Sequence, residues 1–485
     1  MSVRRPRVER LAGTLSRLSN LSQPALPPEI WIKILHIAIY VENVEDIHPS
    51  SATFSSSPCA IVPDDFSIVD LRSSLRLRTS VARVSRWFRD LTSAAFPYRH
   101  LIVTNDNAHI LRRMFLEHTY PRRMAGTGSG HAPRTKHPLS LSVRHLVVDI
   151  RTEMRSHRKR ALGKALGTIA RHLPNIITFT SACDASLTDT SYPAFFGRAL
   201  CRALSLVPAR TLRKIVFRDA GHALFPPLGL EKLLSTATRL QTLVFRAGAC
   251  PHPYTIVLPA SMPHLTYFCM DQPRTGIQLP FGSASCTLPC LRRLHVCISS
   301  GSPLRWAPLW PLWTRNGAGL THLSFDVDPM FPPVQTLQCF TDDTGGGTAY
   351  PQLAHLSLTS SALSVSILLR DGIPPVHTLS VAIMKASLLG RAGYSADMSR
   401  TSVLMLISSL SSLVRDSEGL SKLRTVRIAE DEVVRVLQGM IGGEVVSNAL
   451  ERLWKLPFEV VDSNGRRLAD ALTQVEGRLD DYSPR

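Results

Sequence analysis

From Val143 onward the chain repeats a short pattern of apolar positions: apolar, two variable residues, apolar, one variable residue, apolar. It stands at Val143, Leu146 and Val148, at Leu212, Ile215 and Phe217, at Leu240, Leu243 and Phe245, and at Leu265, Phe268 and Met270. It continues at Leu291, Leu294 and Val296, at Leu320, Leu323 and Phe325, at Leu353, Leu356 and Leu358, at Val376, Leu379 and Val381, and at Leu423, Val426 and Ile428. With 44% hydrophobic residues, a triple match arises by chance about once in twelve positions. Spacing therefore carries the weight. From Ile215 the fourth position recurs at 243, 268, 294, 323, 356 and 379, at intervals of 28, 25, 26, 29, 33 and 23. Each alternating end predicts a short strand with its apolar side chains on one face. Pro263, Pro289, Pro351 and Pro374 stand two residues before the first apolar position, where proline ends one segment and lets a strand begin. Ile176 and Phe179 form a degenerate case, with Ser181 in the last apolar place. Helical spacing marks Tyr192 to Leu206, Leu228 to Ala237 and Ser402 to Leu413 as an outer layer.

Such units bury their apolar positions only by stacking, so the pattern predicts an arc with a parallel sheet inside and helices outside. The pattern resembles leucine-rich repeats. The asparagine of that family, eight residues after the first apolar position, is replaced by Ala220, Gly248, Pro273, Ser299, Asp328 and Ser361. An irregular solenoid is expected over 141–430. A cap over 431–485 follows, with helices around Val433 to Val445 and Leu450 to Trp454, a strand at Leu456 to Val461 and a charged helix over 466–478.

The N-terminal region has a different pattern. Leu26, Pro27, Pro28 and Glu29 read as a helix start, since proline in a first turn loses no needed N–H and Glu29 faces the positive helix end. Ile30, Trp31, Ile34, Leu35 and Ile37 then form an apolar stripe, and Val81, Val84, Trp87, Phe88 and Leu91 form a second. Both stripes are wider than one small core absorbs. Leu26-Pro27, Glu29-Ile30, Ile34 and the run Val84 to Leu91 resemble the F-box, a helical module that docks a Skp-type adaptor and joins it to a cullin-based ubiquitin ligase. A Ser-, Pro- and Asp-rich insertion at 42–70, with the exit Pro97 to Val103, is similar to the large F-box-like group of mushroom-forming fungi. The expected fold class is thus α/β: a helical F-box-like module (26–104) after a basic tail (1–25), a helix and flexible linker (105–140), then the leucine-rich-repeat-like solenoid and its cap. The resemblance implies adaptor contact at Leu26, Pro27, Ile30, Trp31, Ile34, Val84, Trp87 and Phe88.

Charge adds a second line. The 56 basic residues against 37 acidic give a formal charge of +19, a field that favours acidic partners or nucleic acid. Arg4, Arg5, Arg7 and Arg10 form one cluster, and Arg151, Arg155, Arg158, Lys159, Arg160 and Lys164 another. The nine cysteines, spread from Cys59 to Cys339 without a Cys-x-x-Cys pair, suit a reducing compartment. No apolar run is long enough to span a bilayer, and a cytoplasmic or nuclear location is expected.

Catalytic patterns were not found. Gly345 to Gly347 lacks the lysine of a phosphate loop, and Cys286, Cys290, His295 and Cys297 have no common zinc spacing. Neither a Gly-x-Ser-x-Gly nor a His-Glu-x-x-His element occurs. The expectation is a non-enzyme without cofactor or metal. Alternation places Lys214, Arg218, Arg246, Asp271, Arg293, His295, His322, Asp326 and His355 on the inner face, a mixed polar row suited to a target protein. Together these readings describe a substrate-recognition adaptor of a Skp-cullin-F-box ubiquitin ligase. The alternative is a basic repeat scaffold that binds nucleic acid or an acidic protein without assembling a ligase.

Overall fold

The fourth positions of the apolar pattern fall on one ladder. Leu146, Phe179, Ile215, Leu243, Phe268, Leu294, Leu323, Leu356, Leu379, Val426 and Val460 are successive partners across parallel strands, and all are buried. The computed structural model of the protein describes residues 27–39, 68–89, 99–119, 141–151, 156–183, 197–206, 208–219, 225–246, 254–255, 257–272, 277–278, 286–298, 313, 315–327, 350–360, 365, 374–383, 396–412, 422–428, 431–440 and 444–473.

Among the described residues two helices come first, α1 (Pro28–Ile39) and α2 (Ile68–Val84). The units follow as β1 (His100–Thr104), α3 (Ala108–Thr119), β2 (His145–Ile150), α4 (Ser156–Arg171), β3 (Thr178–Cys183), α5 (Arg198–Leu204), β4 (Lys214–Asp219), α6 (Pro227–Thr236) and β5 (Thr242–Arg246). Next are β6 (Tyr254–Thr255), β7 (Tyr267–Gln272), β8 (Ile277–Gln278), β9 (Arg293–Ile298), β10 (His322–Val327), β11 (His355–Ser360) and β12 (Thr378–Ile383). The chain continues through α7 (Ala396–Ser412), β13 (Thr425–Ile428), α8 (Asp431–Gln438), α9 (Glu444–Trp454), β14 (Glu459–Val461) and α10 (Leu468–Thr473). Twelve strands make one parallel sheet in chain order, while β6 and β8 pair separately. Because the order never reverses, each unit rests on its two neighbours, a solenoid-like α/β arrangement.

A second repeat lies in the backbone. The carbonyl just before each strand accepts N–H bonds from the next unit: Arg99 O from Arg144 and His145, Arg213 O from Gln241 and Thr242, His377 O from Arg424 and Thr425, all at 2.8–3.1 Å. This staple satisfies the chain where it enters the sheet. Without the asparagine positions of a regular repeat, side chains elsewhere take over part of the task. Asn316 accepts from Leu288 N at 2.6 Å and donates to Cys286 O at 3.1 Å, and Asn175 donates to Leu141 O at 2.9 Å.

Helices cover the outer side toward both ends. At Gly167 of α4 an added Cβ would stand 2.8 Å from Ala199 of α5, so a side chain there would force the two helices apart. Between β5 and β12 the described connector residues include short helical pieces at Trp313, at Arg315 and Asn316, and at Val365. The buried core is continuous from Val103 to Leu472.

The sheet starts earlier than the expected boundary at 141. Residues 100–104, read as the exit of the N-terminal module, are β1, and α3, read as part of a linker, packs Phe115 into the core against His172 of the α4 end. Helix α2 begins at Ile68, inside the bounds 42–70 expected for the insertion; residues 1–26, 40–67 and Leu91 lie outside the described part.

Some backbone groups at both sheet edges are taken up locally. At the β1 edge, Asn107 donates to Ile102 O at 2.9 Å and accepts from Thr104 N at 2.8 Å, doing the work of an adjacent strand. At the other end, Val461 bridges to Arg467 around a turn in which Asp462 Oδ1 accepts from Asn464 and Arg466. Gly465 in that turn has a φ of 79°, which favours glycine. Among the described residues no helix is long and apolar enough to cross a membrane.

Candidate functional site

Side chains that alternate with the core ladder form three rows on the inner face. The first runs His100, His145, Thr178, Lys214, Thr242, Tyr267, Arg293, His322, His355 and Thr378. On the second, Val216, Val244, Cys269, His295, Ser324, Ser357 and Ser380 are successive partners; on the third, Asp149, Ala182, Arg218, Arg246, Asp271, Cys297, Asp326 and Thr359. All nine inner-face candidates fall on these rows. Their exposure differs along the rows: Lys214, Arg218 and His295 are buried, Arg246, Arg293 and His322 are half-buried, and His355 is exposed. The side chains of Asp271 and Asp326 lie outside the described part. Among the described side chains of this set His355 is the exposed one, and the half-buried His322 lies beside it.

An apolar cluster of Val216, Val244, Tyr267 and Cys269 divides the face. Beyond it, Ser324 Oγ, Ser357 Oγ and Thr359 Oγ1 are buried without a hydrogen-bond partner among the described residues. Beside them His322 and His355 stack with ring centroids 4.3 Å apart and planes 17° apart. Burial first, and then the neighbouring His355 and Arg293, push the His322 imidazole down to about 3, so the stack is neutral at pH 7. Neutral imidazoles and hydroxyls both donate and accept, which suits an extended backbone.

A second histidine stack closes the other end of the row. His100 and His145 lie 4.5 Å apart, with His145 Nδ1 2.7 Å from Thr178 Oγ1. His145 is pushed down to about 3 by burial, then by His100, Arg99, Lys214 and Arg144. The sign follows directly: between about pH 6.5 and 3 the unfolded chain binds a proton that the folded chain refuses, so stability falls as pH falls through that window. His145 should cost up to about 1.4 kcal/mol per pH unit below 6.5. Urea unfolding at pH 7.0 and 5.5 should show this loss in the wild type and a smaller one in His145→Gln; equal slopes would refute it.

Helix α2 covers the inner face at this end. Leu71 packs on Val147 and Ala182, with Leu75 beside Ile102. Arg72 Nη2 reaches Asp149 Oδ2 at 2.7 Å, and Arg151 Nε holds Oδ1 at 2.6 Å. A second α2 face, Leu77 and Val81, packs on Leu35 of α1. The helix therefore lies between the sheet and α1, which is why Ser74 and Arg78 are buried.

The hairpin of α1 and α2 holds the other candidates. Trp31 meets Phe88 edge-on at 5.4 Å and Trp87 at 6.5 Å, and all three are half-buried. Ile30, Ile34 and Val84 are 39%, 39% and 40% exposed, and Pro27 is exposed with its carbonyl accepting from Ile30 and Trp31. Leu26 lies outside the described part. The second stripe is not one helix: α2 stops at Val84, and Ser85 Oγ accepts from Phe88 N at 3.2 Å to start a new turn. That break leaves Val84 outside the aromatic cluster.

Sequence reasoning missed Arg72, Asp149 and the apolar cluster. Asp149 gave one local signal, a carboxylate at an inner position of a strand among apolar residues. Its partner Arg72 is 77 positions away, beyond the reach of any local pattern. Neither a protein-family model nor a curated protein matches this chain.

Proposed function

We propose that the protein is a two-part adaptor in which the α1–α2 hairpin docks a Skp-type adaptor and the leucine-rich-repeat-like inner face holds a target for ubiquitin transfer by other subunits. The observation that carries this reading is the exposed Ile30, Ile34 and Val84 beside a packed Trp31, Trp87 and Phe88. Ile30 and Ile34 are one helical turn apart, so they form a continuous apolar strip that the hairpin's own core does not use. On this reading the target meets the free polar groups near His322 and His355, and rate enhancement comes from proximity alone.

The test uses purified components. Leu26→Ala with Pro27→Ala, and separately Ile30→Asp with Ile34→Asp, should abolish co-purification of a Skp-type adaptor while the circular dichroism spectrum stays unchanged. Unchanged recovery of the adaptor with both variants would sink the reading.

One observation favours the second reading. Helices α4 and α5 present Arg158, Arg160, Lys164, Arg171, Arg198 and Arg202 to solvent and contain no carboxylate. Nucleic-acid binding that weakens steeply with salt, together with no adaptor binding, would favour a basic scaffold instead. Arg151 is not part of that patch, because Asp149 holds it.

A further inference from the structure

A cavity of about 460 Å3 lies where α2 crosses the edge of β1, and four arginines line it: Arg72, Arg76, Arg78 and Arg89. Among the described residues no carboxylate does. Asp149 holds Arg72 from outside the lining, and Arg76 and Arg89 stand at the cavity as exposed cations. Leu75, Leu101, Ile102 and Leu111 give it an apolar floor. The volume and this mix of apolar surface with a few convergent polar groups are those of small-molecule sites.

A guanidinium does not shed its proton, so Arg76 and Arg89 offer permanent charge to an anion that enters the cavity. Their forks accept oxygen atoms of phosphate or carboxylate two at a time. His100 shares the wall and is pushed down to about 4, by burial first and then by Arg78 and Arg99; it is a neutral hydrogen-bonding group there. A peptide strand is not the occupant that the geometry favours, because Asn107 already takes the backbone groups of Ile102 and Thr104 at this edge.

We propose that this cavity binds a small polyanion carrying two or more phosphate or carboxylate groups, gripped by Arg76 and Arg89 over the apolar floor. The ligand ties α2 to β1 and to α3, which supplies Leu111. The site is separate from Ile30 and Ile34, so its test is independent of adaptor docking.

Calorimetric titration of the full chain with inorganic pyrophosphate and with citrate, at constant ionic strength, should show saturable binding at one site. The tighter probe tells phosphate from carboxylate as the preferred group. Arg76 and Arg89 are exposed, so Arg76→Glu with Arg89→Glu should fold normally and bind about 100-fold more weakly, roughly tenfold for each charged hydrogen-bonding group lost. Arg76→Lys with Arg89→Lys keeps the charge but loses the forks, and should fall in between. Absence of saturable binding by both probes, or equal affinity in wild type and the charge-reversed variant, overturns the proposal.

Discussion

Replacing Phe217 with alanine should destabilise the protein by about 3–5 kcal/mol, the range for a fully buried phenylalanine. Phe217 is completely buried, stacks on Phe245 with centroids 5.1 Å apart and planes at 15°, and meets Phe225 and Phe179 edge-on at 5.3 and 6.4 Å. These rings come from three neighbouring strands and the segment before α6, so truncation empties the joint between units rather than a site within one. In a stacked array, stability is close to a sum of unit and interface contributions, and a weakened interface lets the two sides unfold separately. Urea unfolding followed by hydrogen exchange should therefore show β1 to β3 opening before β7 to β13 in the variant. Phe217→Leu fills most of the space and should lose clearly less. A loss below about 1 kcal/mol for the alanine variant would mean that the site collapses around the gap.

The same ladder shows why the repeat was readable. A parallel, in-register sheet puts every fourth position in one environment, so Ile215, Leu243, Phe268, Leu294, Leu323, Leu356 and Leu379 all keep an apolar identity despite intervals from 23 to 33 residues. The strand β1 carried the signal as well. Arg99-His100-Leu101 repeats Arg144-His145-Leu146, and the structure pairs His100 with His145 and Leu101 with Leu146. Its proximity to the N-terminal stripes groups it with the helical module in the sequence, while in the structure it pairs with β2. On the inner face, taking only the polar residues as informative hid the apolar cluster, because Val216, Val244 and Cys269 occupy a position that the pattern leaves variable. The Ser85 break was equally invisible, since apolar spacing runs through it while a hydroxyl cap ends the helix.

Asp149→Ala should detach α2 from the sheet without unfolding the rest. The carboxylate is 2% exposed and holds Arg72 and Arg151, whose side chains are 41% and 47% exposed. Removing it deletes two charge-assisted hydrogen bonds, worth about 1.5–3 kcal/mol each, but the freed guanidiniums reach water, so the net loss should be about 1–3 kcal/mol rather than that of a sealed ion pair. The apolar contacts of Leu71 with Val147 and Ala182, and of Leu75 beside Ile102, stay in place. Hydrogen exchange should then speed up at least tenfold across α2, with little change in β7 to β13, because a local opening need not involve the global transition. Asp149→Asn keeps the shape and an acceptor oxygen and should lie between. Uniform acceleration over the whole sheet would show that α2 and the array are one cooperative unit. The distinction bears on the proposed adaptor. A hairpin fixed to the inner face holds a docked partner at a set angle to a bound target, whereas a loosened one keeps affinity and loses orientation. In a reconstituted ligase, Asp149→Ala should accordingly retain adaptor binding and slow transfer to the target.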